Sequence, residues 1–244
     1  MPPSRSQVEA YFFGSPPRIG EKILFVKREG RLGEYAAHLA EVKTFGNVWR
    51  GVTGRLHGEL VSVIATGVGP SLIGDAVYAL DRPGALCLYS GTCGGLHAGM
   101  NVGDYFAAKE AVCGDGYSLH FGYAPFATAH SDPGALQALK VALSRDVRQF
   151  DSGVTFTTSS VAREIDAEFW RTLDSRCQVI EMGAAAFYTA ALASGKRAAA
   201  YFWVTDLPTR GRSYYDVLPP ADVAIKEERY HRAVSLDLAL LAAS

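Results

Sequence analysis

A chain of 244 residues, 48% of them hydrophobic and 20% charged, is long enough to bury a large core and suits one α/β domain better than two small ones. Its formal net charge of −1 argues against nucleic acid or an anionic membrane surface as partner. Cys87, Cys93, Cys113 and Cys177 show no CxxC spacing and read as reduced, buried thiols. With no leader-like opening and no apolar run near the roughly 20 residues a membrane span needs, the expectation is a cytoplasmic protein.

Residues 1–18 are rich in Pro and Ser, with Tyr11-Phe12-Phe13 as their only apolar cluster. They read as an arm that docks on the body or on a neighbouring subunit, ahead of one domain over 19–244. Ile23 to Val26 is a first short strand, followed by the charged turn Lys27-Arg28-Glu29-Gly30-Arg31. The cations of that turn could meet an anion or simply be solvated. Leu32 to Val42 has helical spacing, and Val48 to Leu56 and Leu60 to Thr66 read as strands joined at His57-Gly58. Gly67-Val68-Gly69-Pro70-Ser71 then opens a helix over Leu72 to Leu80, which Asp81-Arg82-Pro83-Gly84 ends.

Ala85 to Leu88 suits a buried parallel strand, and Gly91, Gly94 and Gly95 suggest a sharp turn after it. Free amides there, with the Thr92 hydroxyl, would make a donor cluster for an anion or a sugar oxygen; a tight connection without a ligand reads equally well. Two strand–glycine–helix units in succession favour a mixed, mainly parallel sheet flanked by helices, with ligand at the carboxyl ends of its strands. Val102 to Val112 is a further strand, Gly114 to Phe121 a polar and aromatic loop, and Pro133 to Ser144 a helix. Gly153 to Thr158 is a strand, Ile165 to Leu173 amphipathic, and Val179 to Met182 a strand entering the small-residue helix Gly183 to Ala193. Ala198 to Thr205 is a last core strand ending at Asp206, Leu207 to Pro220 reads as a flap, and Ile225 to Leu241 as a closing helix.

Six segments carry a resemblance to a known family. They are Ala65-Thr66-Gly67-Val68-Gly69-Pro70, Ser90-Gly91-Thr92-Cys93-Gly94-Gly95-Leu96, Val102-Gly103-Asp104, Asp115 to Phe121, Val179-Ile180-Glu181-Met182 and Val204-Thr205-Asp206. In this order they resemble the purine nucleoside phosphorylase and uridine phosphorylase family, which includes methylthioadenosine-type nucleosidases. The resemblance implies an α/β fold, a homo-oligomer such as a dimer or trimer of dimers, and cleavage of a nucleoside N-glycosidic bond. No cofactor or metal is implied, and phosphate is the expected co-substrate. Asp206 falls at the position of a base-side acid, for which burial would raise the pKa. Arg210 or Arg212 could settle its charge. Gly67, Gly91 and Thr92 match phosphate-binding positions, and Arg50 resembles an arginine that reaches a neighbouring subunit's site. Met182, Glu181, Phe156, Val161, Tyr89, Tyr117 and His120 are the expected sugar and base neighbours.

Three departures accompany the resemblance. Tyr89 stands where phosphorolytic members carry an arginine, and a phenol lacks the fork that grips phosphate in two places. Arg28 or Arg31 could compensate from the first turn. Gly183 replaces a carboxylate expected on the ribose hydroxyls, and no histidine precedes His38 to reach the ribose 5′-hydroxyl. Phosphorolysis of a purine-like or modified nucleoside, hydrolysis by water, and a catalytically degenerate nucleoside-binding protein all remain open at this point.

Overall fold

The computed structural model describes residues 2–14 and 18–243. Its central strands are built by alternation. Along β1 (Lys22–Val26), Ile23 and Phe25 enter one apolar cluster while Leu24 and Val26 enter another, the two-residue period of a strand buried on both faces. β5 (Leu86–Gly95) repeats the pattern, with Cys87 and Tyr89 on the first side and Leu86 and Leu88 on the second. β4 (Glu59–Ala65) runs parallel to β1, β1 to β5, and β5 to β10 (Arg197–Asp206). The antiparallel strands β3 (Arg50–Leu56) and β2 (Ala40–Gly46) extend this sheet beyond β4.

At the other end the sheet closes on itself. β10 pairs antiparallel with β6 (Tyr105–Gly114), β6 runs parallel to β8 (Phe150–Thr158), and β8 to β9 (Cys177–Glu181). β9 then returns to the carboxyl end of β5. The short β7 (Thr128–His130) lies on β6.

Helices cover both faces. α6 (Ala184–Ala193) is buried from Ala184 to Ala191, and its alanines let it lie close against β10, β6 and α3 (Pro70–Ala79). On the opposite face α2 (Leu32–Ala36), α4 (Pro133–Asp146) and the 24-residue α7 (Pro220–Ala243) share a core with Leu86 and Leu88. The N-terminal arm contains α1 (Arg5–Phe13), which packs on its own chain: Phe12 stacks on Trp49 at 4.5 Å, and the Asp81 amide donates to Glu9. Residues 15–17 of the arm lie outside the described residues.

Two expectations need correction. The helix expected over Leu32 to Val42 stops at Ala36, and Ala40–Gly46 is a strand instead. The helical period holds only as far as Leu39; beyond it the side chains from Ala40 to Thr44 are exposed, and pairing with β3 satisfies the backbone. The second correction concerns the glycine run after Leu88. It is no turn, because β5 continues through Gly91 and Gly94 to Gly95, held by β10 from Leu86 to Gly94.

Candidate active site

The partners of β5 change along its length, and this opens the site. On one edge β5 pairs with β1 as far as Tyr89 and with β9 only from Gly94, so no strand covers Ser90 to Cys93 there. That uncovered stretch lines a cavity of about 270 Å³ at the carboxyl ends of β1, β5 and β10, the place where open α/β sheets bind ligands.

Lys27, the first residue after β1, continues the alternation of that strand onto the face of Ile23 and Phe25. Its Nζ donates to the Thr92 carbonyl at 2.9 Å and lies 3.3 Å from Thr92 Oγ1. Its stem passes over Gly91, where a Cβ would stand 2.8 Å from Lys27 Cε. Burial lowers the pKa of this ammonium, while Glu181, Cys93 and Asp206 oppose the shift.

Asp206 ends β10, where the register with β5 shifts between Val204 and Asp206 and re-aims the last residue. Gly94 leaves room for it, since a Cβ there would come within 3.2 Å of Asp206 Oδ2. Burial raises the Asp206 pKa; the Thr205 hydroxyl, donating at 2.7 Å, and the ammonium groups of Lys226 and Lys27 hold it back. Glu164, on the 3₁₀ turn Val161–Ile165, also lines the cavity. Desolvation, with the Asp206 carboxyl adding to it, pushes Glu164 up to about 7, and its Oε2 is buried without a hydrogen-bond partner. Two carboxyl groups whose pKa values are raised by burial therefore share one cavity.

Beneath the cavity, Glu181 accepts hydrogen bonds from Thr157 Oγ1 at 2.5 Å and from the Gly183 and Ala184 amides at 2.6 and 2.9 Å. It thus satisfies free amides at the start of α6, and burial pushes it up to about 7. On the α7 side, the buried Asp237 accepts from the Tyr35 and Tyr201 hydroxyls and reaches the cavity wall beside Tyr230. Val161, Ile180 and Met182 supply apolar lining. The cavity therefore combines an apolar lining with two buried carboxyl groups and the uncovered Gly91–Thr92 edge. Among the described residues no group of three His, Cys, Asp or Glu side chains suits a metal ion, and no helix is long and apolar enough to cross a membrane.

A family model of the phosphorylase superfamily matches residues 23–238. The chain belongs to that superfamily. Its fold is similar to a uridine phosphorylase from Vibrio fischeri ES114 complexed with 6-hydroxy-1-naphthoic acid (16% identity, TM-score 0.76, 93% of each chain covered). It is also similar to a purine nucleoside phosphorylase from Toxoplasma gondii in complex with immucillin-H (20% identity, TM-score 0.75, 92% of this chain and 91% of that one). A Trypanosoma brucei nucleoside phosphorylase matches at 15% identity and TM-score 0.74, over 93% of this chain and 94% of that one. No curated protein sequence matches significantly.

Of the residues the phosphorylase resemblance singles out, Asp206, Gly91, Thr92, Arg31, Met182 and Val161 line the cavity. Glu181 lies under it. Gly67 turns the chain at φ +82° beside the lining residue Val68. Phe156 is buried in a separate cluster with Phe169. Tyr117 and His120 border a shallow groove with Asp75 and Phe121, away from this cavity. Arg50 is exposed and pairs with Glu29 at 3.0 Å. Tyr89 is turned into the core against Phe187 and Phe202, and its hydroxyl occupies the space beside Gly183. Arg210 binds the Ala98 and Met100 carbonyls and Arg212 pairs with Asp222, so Lys226 and Lys27 are the cations that lower the Asp206 pKa.

Sequence reasoning did not single out Glu164, Asp237, Lys226 or Tyr230, and it named Lys27 only together with Arg28 and Arg31 as cations of one charged turn. For Lys27 a signal existed, because the alternation of Ile23 and Phe25 extends to it. For the others the contact depends on how a loop and the last helix fold back over the sheet.

Proposed function

We propose that this phosphorylase-superfamily chain cleaves the N-glycosidic bond of a purine-like or modified nucleoside, with phosphate as nucleophile. The products would be the free base and a sugar 1-phosphate. The observation that carries the reading is Asp206, a buried carboxyl with a raised pKa, in the same cavity as the uncovered Gly91–Thr92 edge. The named activities of the fold neighbours, uridine and purine nucleoside phosphorylases, support the reaction class.

In this reading a phosphate oxygen attacks C1′ as the bond from C1′ to the base nitrogen breaks. The bonding electron pair moves into the base, and Asp206 donates the proton that neutralises it. The Asp206 carboxylate left behind faces Lys226 and Lys27. The sugar passes through a cationic ring, which the anionic nucleophile at the Thr92 edge stabilises.

The buried Tyr89 favours a second reading, in which water replaces phosphate. Release of base from a panel of purine, pyrimidine, deoxy and 5′-modified nucleosides, with and without phosphate, separates the readings. Phosphate-dependent release with a sugar 1-phosphate product is the expected result. Phosphate-independent release would select the nucleosidase. Saturable binding with no release would select a nucleoside-binding protein, with Gly183 as its cause.

A further inference from the structure

Resting on the phosphorolytic reading, we propose that Lys27 supplies the positive charge of the nucleophile's subsite, in place of the guanidinium that Tyr89 lacks. The position of Lys27 is the first ground. It reaches across from the end of β1 to the one stretch of β5 edge that no strand covers, and lies over Gly91 and against Thr92. The absence of a side chain at Gly91 is what admits it.

The hydrogen-bond inventory is the second. An ammonium has three donors, and here two are directed to the Thr92 carbonyl and Oγ1. One donor is left for an anion. Because Thr92 Oγ1 accepts from Lys27, its own hydrogen is free to point at the same anion, so Lys27 both contacts the nucleophile and orients a second donor toward it.

The commitments of the other cations are the third. Arg31 places Nε and Nη2 on Glu34 at 3.0 and 2.8 Å. Arg28 lies over the Tyr230 ring at 5.1 Å, and Arg50 pairs with Glu29. Lys226 lines the cavity and acts on the Asp206 carboxyl. Lys27 is left as the cation directed at the Gly91–Thr92 edge.

A lysine differs from an arginine here in one measurable way. Glu181, Cys93 and Asp206 face the Lys27 ammonium and favour its charge, but desolvation, with the Arg28 guanidinium adding to it, outweighs them and lowers its pKa. Its charge is therefore lost as pH rises, whereas a guanidinium would keep its charge throughout. Phosphate affinity should then fall with rising pH even above the second ionisation of phosphate, where the ligand itself no longer changes.

The test is calorimetric titration of the full-length protein with inorganic phosphate over that alkaline range, using wild type, Lys27→Met and Lys27→Arg. Wild type is expected to bind with affinity that declines as pH rises. Lys27→Met should bind about 10- to 100-fold more weakly, the scale of a hydrogen-bonded charge, and Lys27→Arg should bind without the decline. Phosphate affinity unchanged in Lys27→Met, or a decline that persists in Lys27→Arg, would overturn the proposal. If Lys27→Met fails to fold by circular dichroism, wild type and Lys27→Arg carry the test by themselves. Base release with and without phosphate separates this proposal from the reading beneath it. Lys27-dependent phosphate binding with phosphate-independent release overturns phosphorolysis and keeps the role of Lys27. Phosphate-dependent release whose KM for phosphate is unchanged in Lys27→Met keeps phosphorolysis and overturns Lys27.

Discussion

Glu181→Gln isolates a charge that is buried for structural reasons under the site. In the native protein Oε1 accepts from Thr157 and Ala184 and Oε2 from Gly183 and Ala184, so donors meet both oxygens. A glutamine amide turns one oxygen into a donor facing a donor, which leaves a buried group unsatisfied and costs about 1–3 kcal/mol. The second effect has the opposite pH dependence. Burial lifts Glu181 from 4.5 to about 7, so the native state holds its proton more tightly than the unfolded chain does between those values. The stability this contributes is complete below the unfolded pKa and is lost as pH rises through the folded one, a swing of about 3 kcal/mol. Glutamine does not titrate. Glu181→Gln should therefore be less stable than wild type in acid and close the gap, or overtake it, toward about pH 8, where that swing exceeds the hydrogen-bond loss. Guanidinium unfolding of both proteins across this range measures the difference directly. A gap that stays constant, or widens as pH rises, would refute both the placement of the charge and the sign of its linkage.

Asp206→Asn should lower the rate of base release by about 10²- to 10⁴-fold while leaving nucleoside binding largely intact, read as kcat against KM. Asp206→Asn should also bring Glu164 down from about 7, because the Asp206 carboxyl is one of the two causes that raise it; a carboxyl titration followed by NMR decides it. Gly183→Ala should destabilise the protein by about 1–3 kcal/mol through overpacking against Tyr89, and by less in a Tyr89→Phe background. Denaturant unfolding of the two single variants and the double variant measures that coupling, and additive losses would count against the contact.

The central strands were legible because burial on both faces writes itself as apolar runs such as Ile23 to Val26, and the hairpin at His57-Gly58 because both residues adopt positive φ. β2 was hidden, since an exposed edge strand owes its shape to pairing with β3 and carries no apolar alternation of its own. The glycines after Leu88 misled in an informative way. They signalled chain freedom, yet none of Gly91, Gly94 and Gly95 has a positive φ. Their work is to make room: Gly91 for Lys27, Gly94 for Asp206 and Gly95 for Leu207. Glu164 and Asp237 could not be read at all, because the first depends on the path of a 3₁₀ turn and the second on the docking of α7 against Tyr35 and Tyr201.

Tyr89 and Gly183, which look like separate departures in the sequence, occupy one volume. A Cβ at residue 183 would stand 2.9 Å from the Tyr89 hydroxyl and 3.0 Å from Ile73 Cγ2. The φ there is −171°, outside the left-handed region that favours glycine, so it is the phenol and its neighbours that exclude a side chain. A carboxylate at 183 would need Tyr89 removed, and an arginine at 89 would need its charge set among Phe187 and Phe202. The two absences are thus physically one exchange, apolar packing in place of a buried ion, and it takes charge away from β5. Two residues further along the same face lies Gly91, over which Lys27 arrives from β1. A site built this way keeps a cation beside Thr92 while its core stays uncharged at Tyr89. Because that cation is an amine under desolvation, its hold on an anion depends on pH in a way that an arginine's would not.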